Sequence, residues 1–373
     1  MPSTEILISA GEISGDTYAA QLALALVART RAHLFGMGGE RMREAGVELI
    51  ANASEVTVSG VSEVLAKVPA LRRTLTRIVG EAEKRRPRLA ILTDFPGFHL
   101  RLARMLKSRG VPCVYFIAPQ FWAWRPWRAR LVKRRFKKAL CIFPFEVDFY
   151  RKAGVDAEFI GHPLVDFVKP SMSCEQFLSK CGLDAARPVV ALLPGSRHNE
   201  LRHNLPELLA SARQIAKQKP DAQFLVALAP GHTAEAQALS GEKTVCCVGG
   251  ATYDAIASAS VAVVASGTAT VETALLGTPM VVVYRVAPVT SVVLRVLVTT
   301  PYFAMPNLIA GRRVVPELFQ SQFNAERVAD ETICLLRDDE ARRNQLSGLA
   351  EVRARLGPGG AIERAAEIIA NML

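Results

Sequence analysis

Three short stretches carry residue types that could grip a phosphate. Ala265-Ser266-Gly267-Thr268-Ala269-Thr270-Val271-Glu272 follows the apolar run Val261 to Ala265 and opens a helix-like segment closed by Gly277 and Pro279. A strand, a small-residue turn and a helix start leave free backbone N–H groups and the positive end of a helix dipole aimed at one point. That arrangement suits a phosphate or diphosphate. Glu272 lies one helical turn beyond Thr268, where a carboxylate can hold a pair of ribose hydroxyls. Mid-chain, Val189 to Leu193 runs into Pro194-Gly195-Ser196-Arg197, and Arg197 adds a permanently charged fork suited to bidentate phosphate contact. Near the start, Ile6 to Ser9 enters Ala10-Gly11-Glu12-Ile13-Ser14-Gly15-Asp16, followed by a helix-like stretch from Thr17 to Ala28. Each turn alone is also what an ordinary β–α unit shows; the recurrence points to a ligand. None has the spacing of a P-loop or of G-x-G-x-x-G, which disfavours a Walker-type NTPase and a standard dinucleotide fold.

A candidate base stands apart from these turns. Asp94 ends the strand-like run Leu89 to Thr93, just before Phe95-Pro96-Gly97. A carboxylate at a strand's carboxyl end can serve proton transfer or simply cap a turn, and the residues alone leave both open.

The elements that must position these groups alternate along the chain. Strand-like runs at Ile6–Ser9, His33–Gly36, Leu89–Thr93, Val114–Ile117, Leu140–Phe143, Val189–Leu193, Gln223–Ala227, Val245–Val248, Val261–Ala265 and Met280–Tyr284 are separated by helix-like segments. This predicts an α/β protein with two Rossmann-like, doubly wound parallel-sheet domains facing a cleft, ligands meeting the carboxyl ends of the strands. The series divides near Phe159–Asp166, giving expected domains 1–165 and 166–340, with helices in 341–373 packing back toward the first. A chain of 373 residues suits two cores better than one.

Half the residues are apolar, yet no apolar run reaches a membrane span, and no basic-then-apolar leader precedes the first strand. Seven cysteines without a C-x-x-C pair argue against a disulfide framework or zinc site and fit a reducing cytoplasm. The net charge of +11 is concentrated. One basic run spans Arg125 to Lys138, beside Trp122, Trp124 and Trp127; a second covers Arg72 to Arg88. Solvated helix faces, nucleic acid and an anionic membrane surface all suit such runs, and the tryptophans favour the membrane–water boundary. Val61, Val64, Leu65, Val68, Leu71 and Leu75 recur at helical spacing, as a core face or as a helix dipping into lipid.

Taken together, the chain resembles the lipid-A-disaccharide synthases, inverting glycosyltransferases of the two-domain GT-B fold. The likeness rests on Gly11-Glu12-Ile13-Ser14-Gly15-Asp16, Val61-Ser62-Glu63-Val64-Leu65, Pro119-Gln120-Phe121-Trp122-Ala123-Trp124-Arg125, Phe145-Glu146, Ile160-Gly161-His162-Pro163, Leu193-Pro194-Gly195-Ser196-Arg197, Ala265-Ser266-Gly267-Thr268-Ala269-Thr270 and Pro306-Asn307-Leu308-Ile309-Ala310-Gly311, in this order. The resemblance implies transfer from UDP-2,3-diacylglucosamine to 2,3-diacylglucosamine 1-phosphate, giving a β-1,6-linked disaccharide and UDP without metal or cofactor. It implies a cytoplasmic protein, peripheral on the inner face of the inner membrane, with no nucleic-acid partner; a homodimer is left open.

By the same resemblance, Asp94 and Arg197 are catalytic. Gly195, Ser196, Arg197, Ser266, Gly267, Thr268, Thr270, Glu272, Asn307, Glu317 and Gln320 bind the UDP-sugar. Ser14, Gly15, Asp16, Glu63, His99, Trp122 and Arg125 serve the acceptor side, and Val61, Val64 and Leu65 touch the membrane. Alternatives stay beside several of these. Glu317 and Gln320 also fit a surface helix, and Asp16 a cap at Thr17. His99 fits a second base or a buried hydrogen-bonding residue. The chain departs from the family's Asp-x-Pro-Asp-Phe-Asn pattern, with Gly97 for the second Asp and His99 for Asn, and has Ala118 where many members carry Ser. Another UDP-sugar enzyme of this fold, an epimerase or peptidoglycan-lipid transferase, and a non-catalytic nucleic-acid-binding protein are the competing readings.

Overall fold

The computed structural model describes residues 4–56, 61–229, 245–285 and 301–373, with the backbone alone at 13, 61–67 and 199. Two units emerge, one of residues 1–163 with 356–373, the other of 164–355.

Unit 1 is built on strands β1 (Glu5–Ala10), β2 (His33–Gly38), β3 (Glu48–Asn52), β4 (Leu89–Thr93), β5 (Cys113–Phe116), β6 (Lys138–Cys141) and β7 (Ala157–Phe159). They form one parallel sheet in the order β3-β2-β1-β4-β5-β6-β7. Unit 2 holds β8 (Val189–Leu193), β9 (Gln223–Leu228), β10 (Val245–Gly249), β11 (Val261–Ala265), β12 (Met280–Tyr284) and β13 (Glu317–Phe319), parallel in the order β10-β9-β8-β11-β12-β13. All five residues of β4, β8 and β11 are buried. These strands read as unbroken apolar runs because helices cover both faces of a parallel sheet, so no alternation survives. The order reverses between β1 and β4 and between β8 and β11, and at such switch points the loops leaving adjacent strands part to opposite faces.

The expected terminal segment 341–373 is divided between the units. Helix Asp339–Arg355 stays with unit 2, where the buried Gln345 side chain accepts from the Met280 amide at 2.7 Å and donates to its carbonyl at 3.1 Å. Past the break at Gly357-Pro358-Gly359-Gly360, helix Ala361–Ala370 packs on helix Ile13–Thr30 of unit 1, with Arg29 and Glu363 at 2.6 Å. Strands β3, β7 and β13 add to the ten runs expected, all three at sheet edges. Residues 317–322, offered as a surface helix, form β13 and one 3₁₀ turn.

Among the described residues, no helix is long and apolar enough to cross a membrane. Helix Val61–Arg85 confirms the helical spacing; Leu75 belongs to the unit 1 core, and partly buried Leu71 packs against it. Val61, Glu63, Val64 and Leu65 have side chains outside the described residues.

Candidate functional site

In unit 1, β1 and β4 are neighbours with Ala10 opposite Thr93, so the loops that follow them meet. A side chain at Gly11 would collide with the Phe95 ring, and one at Gly15 would come within 3.8 Å of the Asp94 Cβ. Asp94 (φ 52°) and Phe95 (φ 44°) both adopt the left-handed conformation, a costly pairing for two residues with side chains. Burial pushes the Asp94 carboxyl up to about 6, and the nearby Glu12 charge adds to that, against the Phe95 amide. A carboxylate with this affinity is ionised at neutral pH yet a stronger base than a free one.

His99 lies wholly buried beneath this turn. Its Nδ1 is 2.7 Å from the Asp94 carbonyl oxygen and its Nε2 is 2.8 Å from Ser9 Oγ. A carbonyl only accepts, so Nδ1 bears the proton. Desolvation lowers the imidazole to about 4, so the ring is neutral and Nε2 accepts from the Ser9 hydroxyl. Both ring nitrogens are engaged within the fold.

Asp16 also finds structural work. Its carboxylate accepts from the amides of Gly39 (2.6 Å), Arg41 (3.1 Å) and Met42 (3.4 Å), capping helix Glu40–Glu44 rather than its own helix at Thr17. Helix Ile13–Thr30 starts earlier than expected, so exposed Ser14 and buried Gly15 sit in its first turn. Trp122, in the one-turn helix Phe121–Trp124, donates through Nε1 to Glu146 Oε1 at 2.9 Å. Burial drives the Glu146 carboxyl up to about 7, offset by Trp122 and the Phe143 and Ile142 amides. The Arg125 guanidinium stacks 4.5 Å from the Trp124 ring centroid.

In unit 2 the two expected phosphate turns are also adjacent, because β8 pairs with β11, Leu193 opposite Val264. Gly195 takes φ 117° and helix His198–Gln218 follows. The Ser196 and Arg197 amides are already engaged by Glu200 Oε2 at 3.0 and 3.2 Å, and the Arg197 Nη1 lies 3.4 Å from Glu200 Oε1. The Arg197 side chain is 79% exposed, so its head remains accessible. At the second turn Gly267 is the N-cap of helix Thr268–Leu276. Ser266 Oγ donates to the Phe303 carbonyl at 3.2 Å. The buried Thr270 hydroxyl donates to the Gly267 carbonyl at 2.7 Å, which makes it a brace for the turn. Glu272 Oε1 accepts from the Tyr253 hydroxyl at 3.2 Å; burial raises its carboxyl and Tyr253 opposes the shift.

Asn307 and Glu317 form one network. The buried Asn307 amide accepts from Val314 N (2.6 Å) and Val315 N (2.9 Å), and donates to the Val315 carbonyl (2.9 Å) and Glu317 Oε1 (2.7 Å). Glu317 also receives the Phe303 and Ala304 amides, each at 3.0 Å, ahead of helix Met305–Ala310. Asn307 thus shapes the loop, while both residues border a polar hollow with Tyr302, Arg313 and Arg327. Gln320 follows β13 with φ 52°. Sequence reasoning missed Ser9, Tyr115, Tyr253 and Glu200 as partners; only Glu200 left a local signal, at the N3 position of its helix. Among the described residues, no group of three His, Cys, Asp or Glu is placed to hold a metal ion.

A family model described as lipid-A-disaccharide synthetase matches residues 6–370. The chain belongs to the lipid-A-disaccharide synthase family. The lipid-A-disaccharide synthase of Myxococcus xanthus is 44% identical over 375 residues, covering 99% of this chain and 97% of the relative. Membership in the lipid-A-disaccharide synthases makes the chain a hexosyltransferase of lipid A biosynthesis, in place of the epimerase reading. Two solved structures share its fold. UDP-GlcNAc 2-epimerase from Neisseria meningitidis, bound to UDP-GlcNAc, superposes with TM-score 0.68 at 11% identity, covering 99% of this chain and all of the other. The glycotransferase of kitacinnamycin gives 0.65 at 17% identity, with full coverage of both. The expected GT-B architecture of two parallel-sheet α/β units is the one observed.

Proposed function

We propose that unit 2 holds UDP-2,3-diacylglucosamine and that unit 1 holds 2,3-diacylglucosamine 1-phosphate, with Asp94 as the base that takes the proton from the acceptor's 6-hydroxyl. The deprotonated oxygen attacks the donor's anomeric carbon as the bond to UDP breaks, inverting that centre to a β-1,6 linkage. The Asp94 carboxyl, on a left-handed turn at the end of β4 and raised by burial to about 6, is the observation that carries this reading. Charge growing on the UDP diphosphate is met by Arg197 and by the turns that open two helices, Gly195-Ser196 and Gly267-Thr268, preorganised donors of the kind that stabilise a leaving group. Glu272 takes the ribose hydroxyls, as its position one turn past Thr268 supports, and Glu317 and Gln320 face the sugar across a loop that Asn307 holds. Ser14, Gly15, Trp122 and Arg125 border the acceptor.

The same reading puts the protein at the cytoplasmic face of the inner membrane. Trp127, 59% exposed with the Arg128 guanidinium 5.5 Å from its ring, and Trp124 under Arg125 are suited to an anionic lipid boundary. The test is UDP release from donor with and without acceptor, with NMR assignment of the new linkage. Acceptor-dependent release and a β-1,6 product support the reading. Release that ignores the acceptor, or an α-linked product, refutes it.

A further inference from the structure

Two separate elements converge on one backbone atom next to the proposed base, and a third braces one of them. The Asp94 carbonyl oxygen receives the His99 Nδ1–H at 2.7 Å, from helix Pro96–Lys107, and the Tyr115 hydroxyl at 2.9 Å, from β5. Behind His99, Ser9 of β1 donates to Nε2 at 2.8 Å. Ser9, His99 and Tyr115 are each fully buried. The carbonyl they hold belongs to the first of two successive left-handed residues, a backbone state that persists only where surroundings over-determine it. The Phe95 ring completes the hold: it lies over Gly11, stacks on Phe98 at 5.5 Å and meets the His99 ring edge-on at 6.0 Å.

Fixing a peptide plane fixes the Cα–Cβ bond beside it. With its carbonyl pinned from two sides, Asp94 has the direction of its Cα–Cβ bond set by His99 and Tyr115, which bond its backbone and not its carboxylate. We propose that His99 is a positioning residue for the transfer reaction, clamping the Asp94 carbonyl together with Ser9 and Tyr115 so that the Asp94 carboxylate stays aimed and half-buried. The proposal rests on the reading of Asp94 as base. An imidazole suits the task because it spans from Ser9 Oγ to the Asp94 oxygen with one polar atom at each end, and in its neutral form adds no charge beneath the base.

The titratable groups around Asp94 are Glu12 from the loop after β1, Tyr115 from β5 and His99 from its own helix. Neither Tyr115 nor His99 changes charge near neutral pH: Tyr115 is held well above its ordinary range by burial, and His99 is neutral. Releasing the carbonyl lets the turn relax and water reach the carboxylate, so its raised affinity for protons falls.

The experiment compares His99→Phe, His99→Asn and Tyr115→Phe in the full chain by kcat, KM and the pH profile of kcat/KM. His99→Phe keeps a ring but loses both hydrogen bonds. It is expected to lower kcat on the order of tenfold or more, leave the Kd for UDP within about twofold, and move the acid limb to lower pH. His99→Asn retains a donor toward Asp94 and is expected to restore most of kcat and the position of the limb. Tyr115→Phe removes one hydroxyl only, so it reports on the clamp even if His99→Phe does not fold, and it should move kcat and the limb in the same direction. A lower melting temperature with kcat and acid limb unchanged in both Phe variants would overturn the proposal and leave His99 as core. Failure of the underlying reading looks different: Asp94→Asn would itself remain active.

Discussion

The Glu200 carboxylate and the Ser196 amide lie 3.0 Å apart, so the start of helix His198–Gln218 already holds an anion of the chain's own. A donor diphosphate using the same amides must displace that carboxylate or sit beside it, and like charges at this distance repel. Glu200→Gln is expected to tighten UDP binding by a few-fold in calorimetry, an effect that shrinks at high salt. Weaker binding would mean that Glu200 serves the donor by holding Arg197.

Arg197 itself has an exposed guanidinium and a leaving group to neutralise. Removing one preorganised donor costs about 3 kcal/mol of transition-state stabilisation, so Arg197→Ala is expected to lower kcat/KM by roughly 100-fold or more. EDTA should leave the wild-type rate unchanged. Near-normal turnover by Arg197→Ala, or loss of rate in EDTA, would move the leaving-group role elsewhere.

Burial of neutral histidines makes acid sensitivity predictable. His99 falls from its ordinary 6.5 to about 4 in the fold, so the unfolded chain binds the extra proton first. The stability His99 contributes is present above about 6.5 and is lost as pH falls through about 4. The melting-temperature advantage of wild type over His99→Asn should therefore shrink between pH 7 and pH 4.5. An advantage that stays level or grows on acidification would contradict a buried neutral imidazole.

Membrane attachment is predicted to combine apolar insertion with basic runs. Each Lys or Arg near an anionic surface contributes on the order of 1 kcal/mol, which salt screens, whereas apolar insertion resists salt. High salt should release the protein only partly from anionic vesicles, and changing Val61, Val64 and Leu65 together to Ser should release it while UDP binding persists. Leu75, buried in the unit 1 core, should instead lower the melting temperature when changed to Ser. Complete release of wild type by salt would leave the basic runs acting alone.

The fold was legible where burial on both sheet faces produces unbroken apolar runs, as at β4, β8 and β11, and where small residues follow them, as at Gly195 and Gly267. The short edge strands β3, β7 and β13 escaped because three to five half-covered residues carry no periodic signal. Glu317 illustrates the ambiguity: its carboxylate is spent on amides at 303 and 304, which spacing along the chain does not reveal. The partners of the site were hidden for the same reason. Ser9 and His99 are ninety positions apart, and Asp16 caps a helix more than twenty residues downstream. By contrast, Asp94 was legible as a strand-end carboxylate, although its left-handed turn and the carbonyl clamp beneath it were not.

The most direct test of the account is the turnover of Asp94→Asn measured beside its affinity for UDP. Asparagine keeps the shape of the side chain but cannot take the acceptor's proton. The account predicts turnover lower by roughly 100-fold to 10,000-fold, with UDP affinity nearly unchanged because the donor turns lie in unit 2. Turnover close to wild type, or an equal loss of UDP binding, would contradict Asp94 as the base.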